Sequence, residues 1–207
     1  MRYKLKAFTL TELLVALGII GAIAALSIPS LMNAINNRMM ATQIKSNVTA
    51  IQQLISDQLV LHKTKTLEDT DIASATAFYS NFDFATACSA KNKCWGDEYK
   101  TISGPLVTIE TLNTSAGIKL KNGTSIQYLT PEDTHKDKLA KIYIDINGAD
   151  FPNIAGRDLY AFYITKDARI QGTHSPNPTP CDAATECFQA LMQNNWTMPE
   201  NNEYYVK

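Results

Sequence analysis

Histidine is scarce: His62, His135 and His174 are all the chain has, and none stands in a recognisable motif with a serine, cysteine or carboxylate. Enzyme chemistry needs acid, base or nucleophile groups that converge, so catalysis is not expected. Excess charge of either sign is also missing. Nineteen Lys+Arg against twenty Asp+Glu leave a formal net charge of -1, which supplies no basic surface for a phosphate backbone, and nucleic acid is not a default partner. Cysteine is limited to two pairs, Cys88 with Cys94 and Cys181 with Cys187. Their spacing is wider than that of zinc knuckles and no histidine lies beside them. Structural disulfides are the expectation if the region faces an oxidising compartment. Connectivity does not follow from sequence, although two local loops need the least chain to meet.

The most informative absence is of charge between Leu13 and Met32. This run is long enough to cross hydrocarbon as a helix. Before it stands Met1-Arg2-Tyr3-Lys4-Leu5-Lys6-Ala7, with three cations and no anion; positive flanks stay cytoplasmic, so the remainder is expected on the far side. An ordinary secretory signal is the plain alternative, since Ala22-Ile23-Ala24 resembles a small-x-small cleavage site. Two features count against it. Glu12 places a carboxylate at the opening of the apolar run, at about 2.5 to 3.5 kcal/mol near a bilayer centre. The helical pattern also continues past any such cut, through Ile44, Val48, Ile51, Ile55 and Leu59, whose steps of three and four draw one apolar stripe. Gln43, Lys45, Asn47, Gln52, Gln53 and Asp57 lie largely off it. One helix from Thr9 to about His62 would be roughly 80 Å long. Gly18, Gly21, Ala22 and Ala25 offer small faces for close helix contact. Pro29 should bend or locally melt the helix near Ile28.

Ala7-Phe8-Thr9-Leu10-Thr11-Glu12-Leu13-Leu14-Val15 resembles the processing site of type IV prepilins and of the pseudopilins of type II secretion and DNA uptake systems. The resemblance covers about the first thirty residues, and Ala7 departs from the usual glycine. It implies cleavage between Ala7 and Phe8 by a prepilin peptidase, methylation of the new amine, and assembly guided by Glu12, whose carboxylate meets the N-terminus of a neighbouring subunit. That role fits the physics, because a buried anion is tolerated mainly beside a cation; pairing with its own chain's amine, or snorkelling to the interface, is the plainer alternative. The implied partners are the peptidase, an inner-membrane assembly platform, the membrane, and copies of the chain with related minor pilins. The expected organisation is a leader over 1–7, a transmembrane half-helix over 8–32, an amphipathic half-helix over 33–62 and a globular body over 63–207.

In the body, strand signals dominate after residue 105. Leu106 to Leu112, Gly117 to Lys121, Thr124 to Leu129, Lys141 to Ile146, Leu159 to Thr165 and Ala168 to Gly172 are candidate strands, with a hairpin at Asn122-Gly123. The expected fold is α+β and pilin-like, with the long helix packed on an antiparallel sheet of four or five strands. The segment from Asp145 to Asp158 gathers oxygen ligands around glycines, and Asp145, Asn147, Asp150 and Asp158 could hold calcium. The alternative is an Asn-Gly turn whose side chains bond to backbone. Otherwise no cofactor is expected. Ser175 to Pro180 should be an exposed loop, and Asp182 could cap a short helix. The resemblance also likens a bridged Cys181–Cys187 to the disulfide-closed end of many pilins.

Three roles remain open: a subunit of a type IV pilus-like filament, a pseudopilin of a secretion or uptake system, and a membrane-tethered binding protein that never polymerises. On the first two, the chain begins as an inner-membrane precursor with a cytoplasmic leader and ends in a pilus or periplasmic filament.

Overall fold

The structure is a computed structural model that describes residues 9–89, 91–102, 104–107, 112, 117–131, 136–172 and 184–198. Helix α1 runs from Leu10 to His62, 53 residues, about 80 Å at the usual rise. It ends where Lys63 turns left-handed at φ 51; the amides of Lys63 and Thr64 then reach back to the carbonyls of Val60 and Leu59 at 3.3 and 3.2 Å, which satisfies carbonyls that a helix end leaves open. The helix is unbroken through Pro29, so the expected local melting near Ile28 does not occur. A proline removes only one donor, and the surrounding apolar turns keep the rest.

Beyond α1 come two 3-10 turns, Leu67–Asp69 and Asp71–Ala73, and the short helix α2, Ala75–Ser80. Eight strands follow: β1 Thr86–Ala87, β2 Tyr99–Lys100, β3 Leu106–Val107, β4 Ile118–Lys119, β5 Ser125–Leu129, β6 Lys138–Asp145, β7 Leu159–Thr165 and β8 Ile170–Gln171. Helix α3, Ala184–Gln193, closes the described chain. The main sheet has the order β1-β4-β5-β6-β7-β8 and is antiparallel throughout, while β2 and β3 form a separate pair. Six strands therefore stand where four or five were expected, because the two-residue edge strand β1 adds pairing that alternation cannot reveal, while β8 falls within the candidate strand Ala168 to Gly172. Leu106 belongs to the small sheet and not the large one. The Asn122-Gly123 hairpin forms as read: Gly123 takes φ +90, which glycine adopts without strain, and Lys119 pairs with Ser125.

The sheet is covered on both faces. Against one, Ile44, Val48, Ile51 and Ile55 of α1 and Phe188 and Leu191 of α3 pack on Ile126, Ile142, Ile144, Tyr160, Phe162 and Ile164; the Phe162 and Phe188 rings stack at 4.6 Å. Against the other lie Cys94, Trp95, Tyr99, Leu112 and Ala155, on Tyr143, Leu159 and Ala161. This second cover explains why every residue of β7 is buried although alternation of faces is the rule for an antiparallel strand.

The polar residues of α1 are not all on its outer side. Asn47 and Gln58 are buried, and the Gln43 amide donates to Thr124 Oγ1 at 2.9 Å and to the Ile146 carbonyl at 3.0 Å. These bonds set the axial position of the helix on the sheet. Ile51 is fully buried in this contact. Ile51→Ala is expected to lower the unfolding free energy of the detergent-solubilised chain by about 2–5 kcal/mol, whereas Val60→Ala, at an exposed position, should change it by no more than about 0.5 kcal/mol; chemical denaturation followed by circular dichroism measures both.

Candidate functional site

The first site is the start of α1. Thr9 holds an extended conformation (φ -77, ψ 151) as N-cap. Its backbone N–H and its hydroxyl both donate to Glu12 Oε2 at 2.9 Å, and the Glu12 amide donates to Thr9 Oγ1 at 3.2 Å. This is a capping box: two helix-end donors are satisfied reciprocally, and the carboxylate lies at the positive end of the helix dipole. Glu12 is thus held by its own chain through Thr9. The motif places Thr9 at the head of the helix, and its capping role is written in Thr9-Leu10-Thr11-Glu12, which has the T-x-x-E form of the box. Ala7 and Phe8 lie outside the described residues.

Downstream of the cap, Leu13, Leu14, Val15, Leu17, Ile19, Ile20, Ile23 and Leu26 are all exposed. The stretch is long and apolar enough to cross a membrane, and no described residue buries its most apolar part. Beyond the local turns of the helix itself, no described residue comes within 4 Å of the positions a Cβ would take at Gly18 or Gly21. An apolar helix without cover from the described residues, preceded by a basic segment and opened by a capped glutamate, is what a family model for the prokaryotic N-terminal methylation motif matches at residues 2–28. The chain carries a prepilin-type processing signal. This signal is the cleavage and methylation mark of type IV pilins and pseudopilins, and it describes a membrane-anchored precursor. No curated protein and no solved structure matches the chain.

The second site is the carboxylate cluster beneath the outer cover of the sheet. Asp145 closes β6, and its Oδ1 accepts the amides of Asn147 at 3.2 Å and Gly148 at 2.8 Å, while its Oδ2 accepts the Tyr99 hydroxyl at 2.5 Å. The same Tyr99 oxygen receives the Gly96 amide at 3.1 Å. Asp158 Oδ1 accepts the amides of Ile154 at 2.6 Å and Leu159 at 3.0 Å, and its Oδ2 is buried without a hydrogen-bond partner among the described residues. Of the four candidate calcium ligands, the structure brings Asp145 and Asp158 together. Asp150 is exposed, and the Asn147 amide group turns to the Asp150 carbonyl. Among the described residues no three His, Cys, Asp or Glu side chains gather as a metal-holding group; Asp145 serves an Asp turn, with both oxygens engaged.

Burial is the main reason that Asp145 is pushed well above the usual carboxylate range, with the Asp158 charge adding to it. Asp158 is raised to about 7, again chiefly by burial, while the Ile154 and Leu159 amides and the Arg157 charge pull the other way. Tyr99 is raised by burial and by Asp145.

Cys88 and Cys94 are joined, with Cα atoms 5.5 Å apart. Cys187 is also disulfide-bonded, and Cys181 lies outside the described residues. So do the segment 175–180 and Asp182.

Two expectations follow. Thr9→Val removes the acceptor of the Glu12 amide, and a lost cap of about 1 kcal/mol should speed hydrogen exchange of that amide about fivefold in micelles. Asp145 and Asp158 are both raised on folding, chiefly by burial, so their stabilising contribution is complete below the unfolded carboxylate value of about 4; the share of Asp158 is lost as pH rises through about 7. The melting temperature should accordingly fall between those limits, and Asp158→Asn should flatten the fall.

Proposed function

We propose that the chain is a structural subunit of a type IV pilus-like filament, cleaved before Phe8 by a prepilin peptidase and assembled through α1. The observation that carries this reading is a capped glutamate at the head of a membrane-length apolar helix that no other described residue covers. In the precursor the leader is cytoplasmic and the helix crosses the inner membrane once, with the body beyond it. Cleavage before Phe8 places a cationic amine four residues from Glu12. During assembly, the amine of a neighbouring subunit offers Glu12 an ion pair, with a full positive charge that the neutral Thr9 donors lack. The glutamate leaves its own cap for that partner, and the exposed apolar helices bundle in the filament core. Partners on this reading are the peptidase, an inner-membrane assembly platform and other copies or minor pilins. The disulfide at Cys88–Cys94 fits a body in an oxidising compartment. A pseudopilin of a secretion or uptake system shares the same processing and helix.

Mass spectrometry of the mature chain should find a methylated Phe8 at its start; a start after Ala24 would overturn the proposal. Coexpressed with wild-type subunits, Glu12→Ala is expected to enter sheared filaments far less often. Equal incorporation would remove Glu12 from assembly, and the absence of the chain from any filament would favour a tethered monomer.

A further inference from the structure

Among the described residues only two aromatic rings are exposed, Phe151 at 89% and Phe84 at 75%. Both lie at one end of the body. That end is fixed by α1: Arg157 Nη2 donates to Asn37 Oδ1 at 3.2 Å, and the Gln43 amide reaches the carbonyls of Asn122 and Ile146 at 3.4 and 3.0 Å. The loop over 146–158 and the hairpin tip over 120–124 therefore meet α1 where it leaves the body toward Met32. Phe151 sits within that loop. Phe84 stacks under Lys121, whose Nζ is 3.7 Å from the ring centroid, beside the same hairpin tip.

The distances along α1 place this end against a bilayer. This step rests on the reading that α1 spans a membrane. The charge-free run from Leu13 to Met32 covers about 30 Å as a helix, the thickness of the hydrocarbon core. Asn37 then stands roughly 7–8 Å beyond the core, within the headgroup layer of about 5–8 Å. The loop that contacts Asn37 is in that layer or at its surface. Phe84 holds its ring outward from a backbone at φ 61, a conformation that bulky residues rarely adopt. Arg38 and Lys121 supply cations, and Asp83 and Asp150 are exposed close by. Charge of both signs beside apolar rings suits the headgroup zone, whereas the dry centre of a protein interface is depleted of charge.

We infer that Phe84 with Lys121, and Phe151, form a collar that rests in the lipid headgroup layer around the exit of α1 while the subunit waits in the membrane. The occupant is a lipid surface, continuous with the surface that the helix itself occupies. Such anchors set the tilt of a spanning helix; here they fix the body against the bilayer, and extraction into a filament must detach them.

The test uses the full-length chain in vesicles of phosphatidylcholine and phosphatidylglycerol. No described cysteine is free, so a nitroxide can be placed singly at Asp150→Cys, Leu61→Cys or Leu26→Cys. Collision with oxygen and with a water-soluble nickel chelate reports lipid against water. The Leu26 label should read lipid and the Leu61 label water, with the Asp150 label between them. Adding Phe84→Ser and Phe151→Ser should shift the Asp150 label to the Leu61 value while circular dichroism stays unchanged. A water-like Asp150 label beside a lipid-like Leu26 label overturns the collar and leaves the spanning helix intact. A water-like Leu26 label overturns both. Shielding at Asp150 that disappears below one chain per vesicle belongs to a second copy and also overturns the proposal.

Discussion

One helix has to satisfy two solvents. Between Leu13 and Met32 every outward side chain must tolerate lipid, whereas from about Ala41 onward one face must fill a protein core and the other must meet water. The rest of the molecule is arranged around that demand. The sheet offers α1 a face of Ile126, Ile142, Ile144 and Phe162, while Thr124 and the Ile146 carbonyl receive Gln43 and Asn47. Apolar contact is non-directional and would let a uniform stripe slide by a turn. The polar bonds choose one register.

The same constraint governs the start of the helix. A carboxylate in lipid is tolerable only with donors around it, and the capping box gives Glu12 two of them from Thr9. These donors are neutral, which on the proposed reading leaves Glu12 able to exchange them for the cationic amine of a neighbouring subunit. The body shows the converse case. Asp145 and Asp158 are sealed beneath the outer cover of the sheet, where no water competes and backbone amides with one tyrosine hydroxyl must serve. Gly156, at φ +90, lies so close to the Cys187 sulfur that a Cβ would overlap it. The 146–158 loop is thereby clamped between β6, the β2 segment and α3, and its apolar tip at Phe151 is presented and not absorbed.

The sequence by itself determined the long helix, the hairpin and β7, because these rest on local periodicity, on an uninterrupted apolar run and on turn chemistry at Asn122-Gly123. It also marked the Glu12 site, since a charge beside that run is anomalous wherever it occurs. Only the tertiary structure decided three things. The edge strand β1 is two residues long, too short to carry a period, and exists because β4 offers hydrogen bonds. Asn47 reads as lying off the apolar stripe, yet it is buried, because burial depends on what lies opposite. Asp145 and Asp158, thirteen positions apart, became a coupled pair, because pairing depends on the return of β7 alongside β6. Periodicity is a property of one segment, whereas burial and partnership belong to two, and the second segment is not written in the first.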